Sequence, residues 1–235
     1  MTRISIVACA FAILGAVAFA ASSTRAADAA HPVVVELFQS QGCSSCPPAN
    51  ANLLGIADRP EVLALSFGVT YWDDLGWKDT FAQPQYTARQ WDYARGFGHP
   101  EVFTPQVVVN GRRDGIGADA GDFARLVRAG ERAAAPTLAV RADAVSVGAG
   151  PIPARPADVW LVRYDPRVVM VPIRRGENGG KTLPHKNVVH ELVRIGAWSG
   201  GAETLRLPRT SDPVLRTAIL VQLSRGGPIL AAAKG

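Results

Sequence analysis

Apolar and polar positions along the first half of the chain fall into blocks that switch between strand and helix periods. Val33-Val34-Val35-Glu36-Leu37-Phe38 is a short, β-branched apolar run and predicts a buried parallel strand. A polar loop over 39–42 follows, then Cys43-Ser44-Ser45-Cys46 and Pro47-Pro48. Proline suits the first turn of a helix, where its missing N–H costs nothing. A helix is therefore expected there, with Leu53, Leu54 and Ala57 as its inner stripe. Residues 62–69 read as a second buried strand, completing a strand–helix–strand unit. A second helix is expected from Pro84, with Tyr86, Tyr93 and Phe97 on one face and Gly96 and Gly98 stopping it. Gln106-Val107-Val108-Val109, entered through Pro105, predicts a third strand. Asn110-Gly111 is its hairpin turn and 113–116 its return arm. Asp119 then caps a third helix that turns Phe123, Leu126 and Val127 inward.

The pattern changes near Ala135-Pro136. Short alternating or apolar runs follow, the clearest at 138–147, 159–164, 168–173, 188–195, 204–207 and 218–223, separated by Gly and Pro. About seven strands at this spacing predict a small antiparallel β-sandwich, with Gly176-Glu177-Asn178-Gly179-Gly180 as a hairpin tip. Two domains result: an α/β domain over 31–134 and a β-rich domain over 136–235.

Composition excludes some functions. A hydrophobic fraction of 48% with 19% charged residues belongs to a folded globular chain. The formal charge of +5 comes from 21 Arg and 4 Lys that are scattered along the sequence. A nucleic-acid surface needs a concentrated basic stripe, so no nucleic-acid partner is expected.

The start of the chain sets the compartment. Arg3 precedes an almost uncharged apolar run over 4–20, and small-residue cleavage sites lie after Ala20 and after Ala26. Residues 1–26 are read as a signal peptide cut at one of these sites. No later segment resembles a membrane span, so a periplasmic or secreted protein without a membrane partner is expected. Cleavage removes Cys9 and leaves Cys43 and Cys46 as the only cysteines.

That pair must be a staple or a reagent. Closing so short a loop contributes about 2 kcal/mol in the loop-closure account, against about 3 for fifteen residues. Position favours the reagent. Cys43 lies in a loop feeding a helix, where free N–H groups and the helix dipole favour a thiolate, the attacking species in disulfide exchange. Cys46, one turn inside, would be shielded and would resolve the mixed disulfide.

The element order β, α, β, helical insert, β-hairpin, α resembles the thioredoxin plan. Thioredoxin-like proteins carry a cis-proline before the third strand, packed against the cysteine pair, and Thr104-Pro105 stands where that element should be. More specifically, Glu36-Leu37-Phe38-Gln39-Ser40-Gln41-Gly42-Cys43-Ser44-Ser45-Cys46-Pro47-Pro48-Ala49-Asn50 resembles the hallmark of the secreted thioredoxin-like family called "domain of unknown function 1223". Tyr71-Trp72-Asp73 with Gly76-Trp77, and Phe103-Thr104-Pro105-Gln106 with Asn110-Gly111, match its further blocks. Arg174-Arg175-Gly176-Glu177-Asn178 with His185-Lys186-Asn187-Val188-Val189 matches its C-terminal part. The resemblance implies the thioredoxin fold and export, and supplies no reaction.

Two readings of Glu36 stay open. Thioredoxin has a buried acid in a comparable strand, and a desolvated carboxyl at Glu36 could likewise move protons for the buried thiol. Alternatively, it faces a polar loop and is simply hydrogen-bonded. Trp72, Asp73 and Asp74 either shape a substrate groove or pack and cap. His99, His185 and His190 have no spacing that ties them to the cysteines, so no metal ligand is assigned. The leading reading is a thiol-disulfide oxidoreductase acting on protein or small-molecule thiols and disulfides. Its cofactor would be nothing beyond a redox-active Cys43–Cys46 disulfide. The alternatives are a non-catalytic interaction module with an inert disulfide and a periplasmic Cu(I) or other metal carrier.

Overall fold

The apolar runs of the first half form β1 (Val33–Gln39), α1 (Cys46–Leu54), β2 (Val62–Gly68), α2 (Pro84–Phe97), β3 (Gln106–Val109), β4 (Arg113–Gly115) and α3 (Ala120–Arg128). The computed structural model describes residues 27–130, 136–210 and 212–235. The expected signal peptide over 1–26, with Cys9, lies outside the described residues.

β1 and β2, each buried on both faces, run parallel, and β3 joins the other side of β1 antiparallel. Alternation along β1 divides its side chains between two layers. Val33, Val35 and Leu37 pack with Ala49 and Leu53 of α1 and Phe123 of α3. Val34 and Phe38 pack on the opposite face with Tyr86 and Tyr93 of α2. α3 starts where expected, with the Asp119 carboxylate accepting from the Asp122 amide. α2 ends in a left-handed Gly98, whose missing Cβ makes that conformation accessible.

The second half departs from a separate sandwich. Its strands are β5 (Leu138–Val140), β6 (Ala144–Val147), β7 (Ala157–Asp165), β8 (Val169–Pro172), β9 (Thr182–His185), β10 (Val188–Trp198), β11 (Glu203–Arg206), β12 (Arg216–Leu223) and β13 (Ile229–Lys234). Four of them extend the first half's own sheet, which runs β13-β12-β7-β10-β2-β1-β3-β4. The join is parallel pairing of β10 to β2, where Asn187 Nδ2 donates to the Ala64 carbonyl at 2.9 Å and the Ser66 amide to the Asn187 carbonyl at 2.9 Å. The physical reason lies in β2. Its sequence Val-Leu-Ala-Leu-Ser-Phe-Gly is buried throughout, so an open edge would leave unpaired backbone groups in an apolar layer. Facing residues of β7, β12 and β13 then continue the α2-side core.

Antiparallel layering does exist in the second half. β11-β6-β5 forms a three-stranded sheet, and Val145, Val147 and Leu207 from its side pack against Val159, Leu161, Ile219 and Trp198. β8 and β9 form a separate two-stranded arm whose tip is 173–181. Among the described residues, no helix is long and apolar enough to cross a membrane.

Candidate functional site

Cys43 ends the loop leaving β1, and Cys46 opens α1, so the sheet and the helix each hold one sulfur. Both cysteines are free thiols, and both are buried, at 0% and 1% exposure, while Ser44 and Ser45 between them face solvent. Burial of Cys46 matches its expected position. Burial of Cys43 does not match the exposed thiol expected for an attacking residue. Its sulfur is enclosed by the Ser45 hydroxyl at 3.1 Å and by the Thr104 carbonyl at 3.8 Å.

The two sulfurs differ in their hold on a proton. The Cys46 thiol, hydrogen-bonded to Cys43, brings the Cys43 thiol down to about 6. The Ser45 hydroxyl and the Ser45 and Cys46 amides add to this against the opposing effect of burial. Pro47 and Pro48 have no N–H, so donation to the thiolate comes from these few groups rather than from a full helix N-terminus. Cys46 moves the opposite way. Burial pushes it well above the usual thiol range, and a charged Cys43 pushes it further, with only the Thr104 hydroxyl and the Ser40 backbone opposing. Cys43 is thus the thiolate and Cys46 the thiol. Titrated by its ultraviolet thiolate absorbance, the reduced protein is expected to show one cysteine ionising near pH 6. That cysteine would be about nine-tenths ionised at neutral pH, while the second stays protonated. A single transition above pH 8 would contradict this.

Thr104-Pro105 is a cis peptide at the entry to β3. The Thr104 hydroxyl stands 3.2 Å from the Cys46 sulfur and donates to the Phe38 carbonyl at 3.2 Å. The loop before Pro105 is held by Gln90, whose Nε2 reaches the Phe103 carbonyl at 2.7 Å and Gln106 Oε1 at 2.9 Å. Sequence reading missed Tyr71 at this site. Burial raises its phenol, and the charges of Cys46 and Cys43 push it further in the same direction.

Glu36 is not brought to the cysteines. It alternates with Val35 and Leu37 and so points to the α2 face, away from α1. There Arg89 Nε meets Oε1 at 2.8 Å, Arg89 Nη2 meets Oε2 at 3.2 Å, and the Tyr93 hydroxyl also donates to Oε2. Arg89 lies among Phe67, Tyr93 and Trp160, with its guanidinium carbon 5.2 to 5.9 Å from their ring centres. Burial disfavours the Arg89 charge, and Glu36 more than restores it. Neither a proton shuttle to Cys46 nor a contact with a polar loop fits this position. Glu36 belongs to a buried ion pair.

The loop carrying Cys43 is fastened from two sides. From the segment after β2, the Asp79 carboxylate accepts from the Gln41 amide at 2.7 Å, and Trp77 Nε1 donates to Gln41 Oε1 at 2.9 Å. Gly68 permits this approach, because a Cβ there would stand 2.8 Å from the backbone of Phe81 and Ala82. Burial brings the Asp79 carboxyl up to about 6. Trp72 packs against the α2-side core and the Asp73 carboxylate accepts from the Asp79 amide, so these two pack and cap. From the other side comes the β8–β9 arm. Asn178 Nδ2 donates to the carbonyls of Gln41 at 2.9 Å and Cys43 at 2.8 Å. Glu177 Oε2 accepts from the Ser44 amide at 3.0 Å and the Ser44 hydroxyl at 2.7 Å. His99 bonds to Asp114, His185 packs edge-on against Phe81, and among the described residues no histidine bonds to either cysteine.

The family described as protein of unknown function, DUF1223, matches residues 34–222. The chain belongs to this family. A DUF1223 chain of this length also resembles a protein of Agrobacterium tumefaciens, known from an X-ray crystal structure, at 31% identity and a TM-score of 0.71. That match covers 89% of this chain and 95% of the other. HBP35 of Porphyromonas gingivalis is similar in fold, at 16% identity and a TM-score of 0.55, over 87% of this chain and 74% of its own. No curated protein matches the chain. A cavity of about 610 Å³ lies between β4 and α3 and is lined by Arg113, Ile116, Asp119, Arg125 and Leu126. It contains no residue of the cysteine loop.

Proposed function

We propose that this DUF1223 protein is an exported thiol-disulfide oxidoreductase whose first half is a thioredoxin-like unit. The observation that carries the reading is the pair's placement: Cys43 closes the loop after β1, Cys46 opens α1 and Thr104 touches both sulfurs, an arrangement that lowers the Cys43 thiol and raises the Cys46 thiol. That inequality is what two-step exchange needs. The Cys43 thiolate attacks one sulfur of a substrate disulfide, and the substrate S–S bond breaks. One substrate thiolate leaves and takes a proton from water. Cys46 then loses its proton to solvent and attacks the Cys43 sulfur of the mixed disulfide, releasing the second substrate thiol. The protein ends as the Cys43–Cys46 disulfide and the substrate has gained two electrons. Run backwards, the same steps oxidise a dithiol. The order β1-α1-β2-α2-β3-β4-α3 and the cis peptide before β3 support the thioredoxin-like assignment. Export rests on the apolar run over 4–20 and places the protein in the periplasm or outside the cell, where disulfides persist.

In this reading Thr104 serves the second step. When Cys46 ionises, the Thr104 hydroxyl can turn from the Phe38 carbonyl and donate to the new thiolate. Thr104→Val keeps the side chain's shape and removes that donor. Release of a preformed mixed disulfide is expected to slow roughly tenfold, since a hydrogen bond to a charged group is worth about 1.5 kcal/mol or more. Thr104→Ser should restore the rate, and equal rates in all three proteins would remove Thr104 from the mechanism. The proposal as a whole is tested by mixing the reduced protein with oxidised glutathione. Loss of both protein thiols and formation of two equivalents of reduced glutathione is the expected outcome; unreacted thiols would defeat it.

A second reading is favoured by one observation, the burial of Cys43. A sulfur without access would make the pair inert and the protein a binding module. Persistence of both thiols in that same glutathione experiment is its signature.

A further inference from the structure

The arm between β8 and β9 reaches the cysteine loop from more than 130 residues away in sequence. Its contacts are specific. Asn178 is fully buried and spends both amide hydrogens on the backbone of the loop, at Gln41 and Cys43. Its own oxygen accepts from Lys181 at 3.0 Å. Gly176, in the left-handed region at φ 71°, sits where a Cβ would come within 3.2 Å of the Trp77 side chain, so the tip is pressed onto the segment that holds Gln41. Glu177, by contrast, is exposed, yet its carboxylate accepts both from the Ser44 amide and from the Ser44 hydroxyl. A packing hairpin needs no charged group on the residue that follows Cys43.

We propose that the arm is a working part of the thiol site, with Asn178 positioning the Cys43 loop and Glu177 restraining how readily Cys43 ionises. The inference rests on the exchange reading above and deepens it. The first restraint is positional: the Ser45 and Cys46 amides are the backbone donors to Cys43, and Glu177 ties the residue between them and Cys43 to the arm. The second is charge, because a carboxylate bonded to the next residue opposes a second negative charge nearby. The remaining titratable groups around Cys43 are Cys46 from α1 and Tyr71 from the segment after β2. The Thr104 carbonyl is its neighbour from the loop before β3. Glu177 is therefore the single carboxylate bonded to the cysteine loop between the two sulfurs among the described residues. It keeps the site from becoming a stronger oxidant than its other groups would make it, since stabilising the thiolate stabilises the reduced form.

Glu177→Gln keeps an acceptor for Ser44 and removes the charge. Glu177→Lys reverses it, and neither touches a buried position. In thiolate-absorbance titrations, the ratio of thiolate to thiol at Cys43 on the acid side of its transition is expected to rise roughly threefold in Glu177→Gln and roughly tenfold in Glu177→Lys. Both differences should shrink at about 1 M salt, where exposed charges are screened. A merely structural arm would show no graded, salt-sensitive shift. Titration curves that superimpose on the unmodified protein, or that move to higher pH, would overturn the proposal. The titration uses no exchange partner, so its outcome is independent of whether the protein reacts with glutathione.

Discussion

Cys46→Ser is expected to stop turnover and trap the protein as a mixed disulfide through Cys43, while Cys43→Ser abolishes exchange altogether. The asymmetry follows from the two thiols. Without Cys46, the Cys43 thiolate still attacks and still displaces one substrate thiol, and the protein lacks the internal sulfur that completes the transfer. Without Cys43, the remaining thiol is held protonated by burial, so almost no thiolate exists to attack. A loss of about a thousandfold or more in reaction with a disulfide substrate is expected for Cys43→Ser, because a few kcal/mol in thiolate availability translate into that range. Mass spectrometry under non-reducing conditions reads the trapped adduct in Cys46→Ser. The opposite assignment, adducts on Cys46 in Cys43→Ser, would invert the roles.

Arg89→Ala is expected to be among the most destabilising single changes, at about 3 to 5 kcal/mol, because it leaves the Glu36 carboxylate buried at 0% exposure with no opposing charge. For a chain of this size that corresponds to a fall in melting temperature of about 10 °C. Replacing both partners, as Glu36→Gln with Arg89→Met, should recover part of the loss, since the desolvated charge goes with its partner. In both of these variants, and in Glu36→Gln alone, the Cys43 titration should stay where it is. A shift in Cys43 or a slowed second step in Glu36→Gln would return Glu36 to the proton-moving role that its strand position first suggests.

Glu36 also shows where sequence reading stops. A buried acid in the strand before a cysteine pair is visible in the pattern, but the face it points to depends on parity, and its partner Arg89 comes from α2, 53 residues on. The first half was legible because its signals are local. Pro47-Pro48 opens α1, Asn110-Gly111 turns the hairpin, Asp119 caps α3, and alternation in Val33–Gln39 needs no distant information. The second half was legible as strands and not as a sheet. Alternation reveals that a strand has two faces; it does not reveal whose edge it joins. Residues 138–147 read as one run but break at 141–143 into β5 and β6, and the alanine-rich β13 carries too weak a pattern to stand out. Within the candidate site, Thr104 lies against both Cys43 and Cys46, and Pro105 follows it. The arm does not announce itself, because Gly176-Glu177-Asn178-Gly179-Gly180 has the composition of any hairpin tip. Tyr71 stands in the sequence only as part of the Tyr71-Trp72-Asp73 block, with no spacing that ties it to the cysteines.

The reduction potential of the Cys43–Cys46 couple, measured by equilibration in glutathione buffers, tests the central claim most directly. An exchange protein should pass between dithiol and disulfide reversibly, with a potential in the range of about −120 to −270 mV spanned by known oxidoreductases. A disulfide that resists reduction below about −300 mV, or thiols that never close, would make the pair inert and contradict the account.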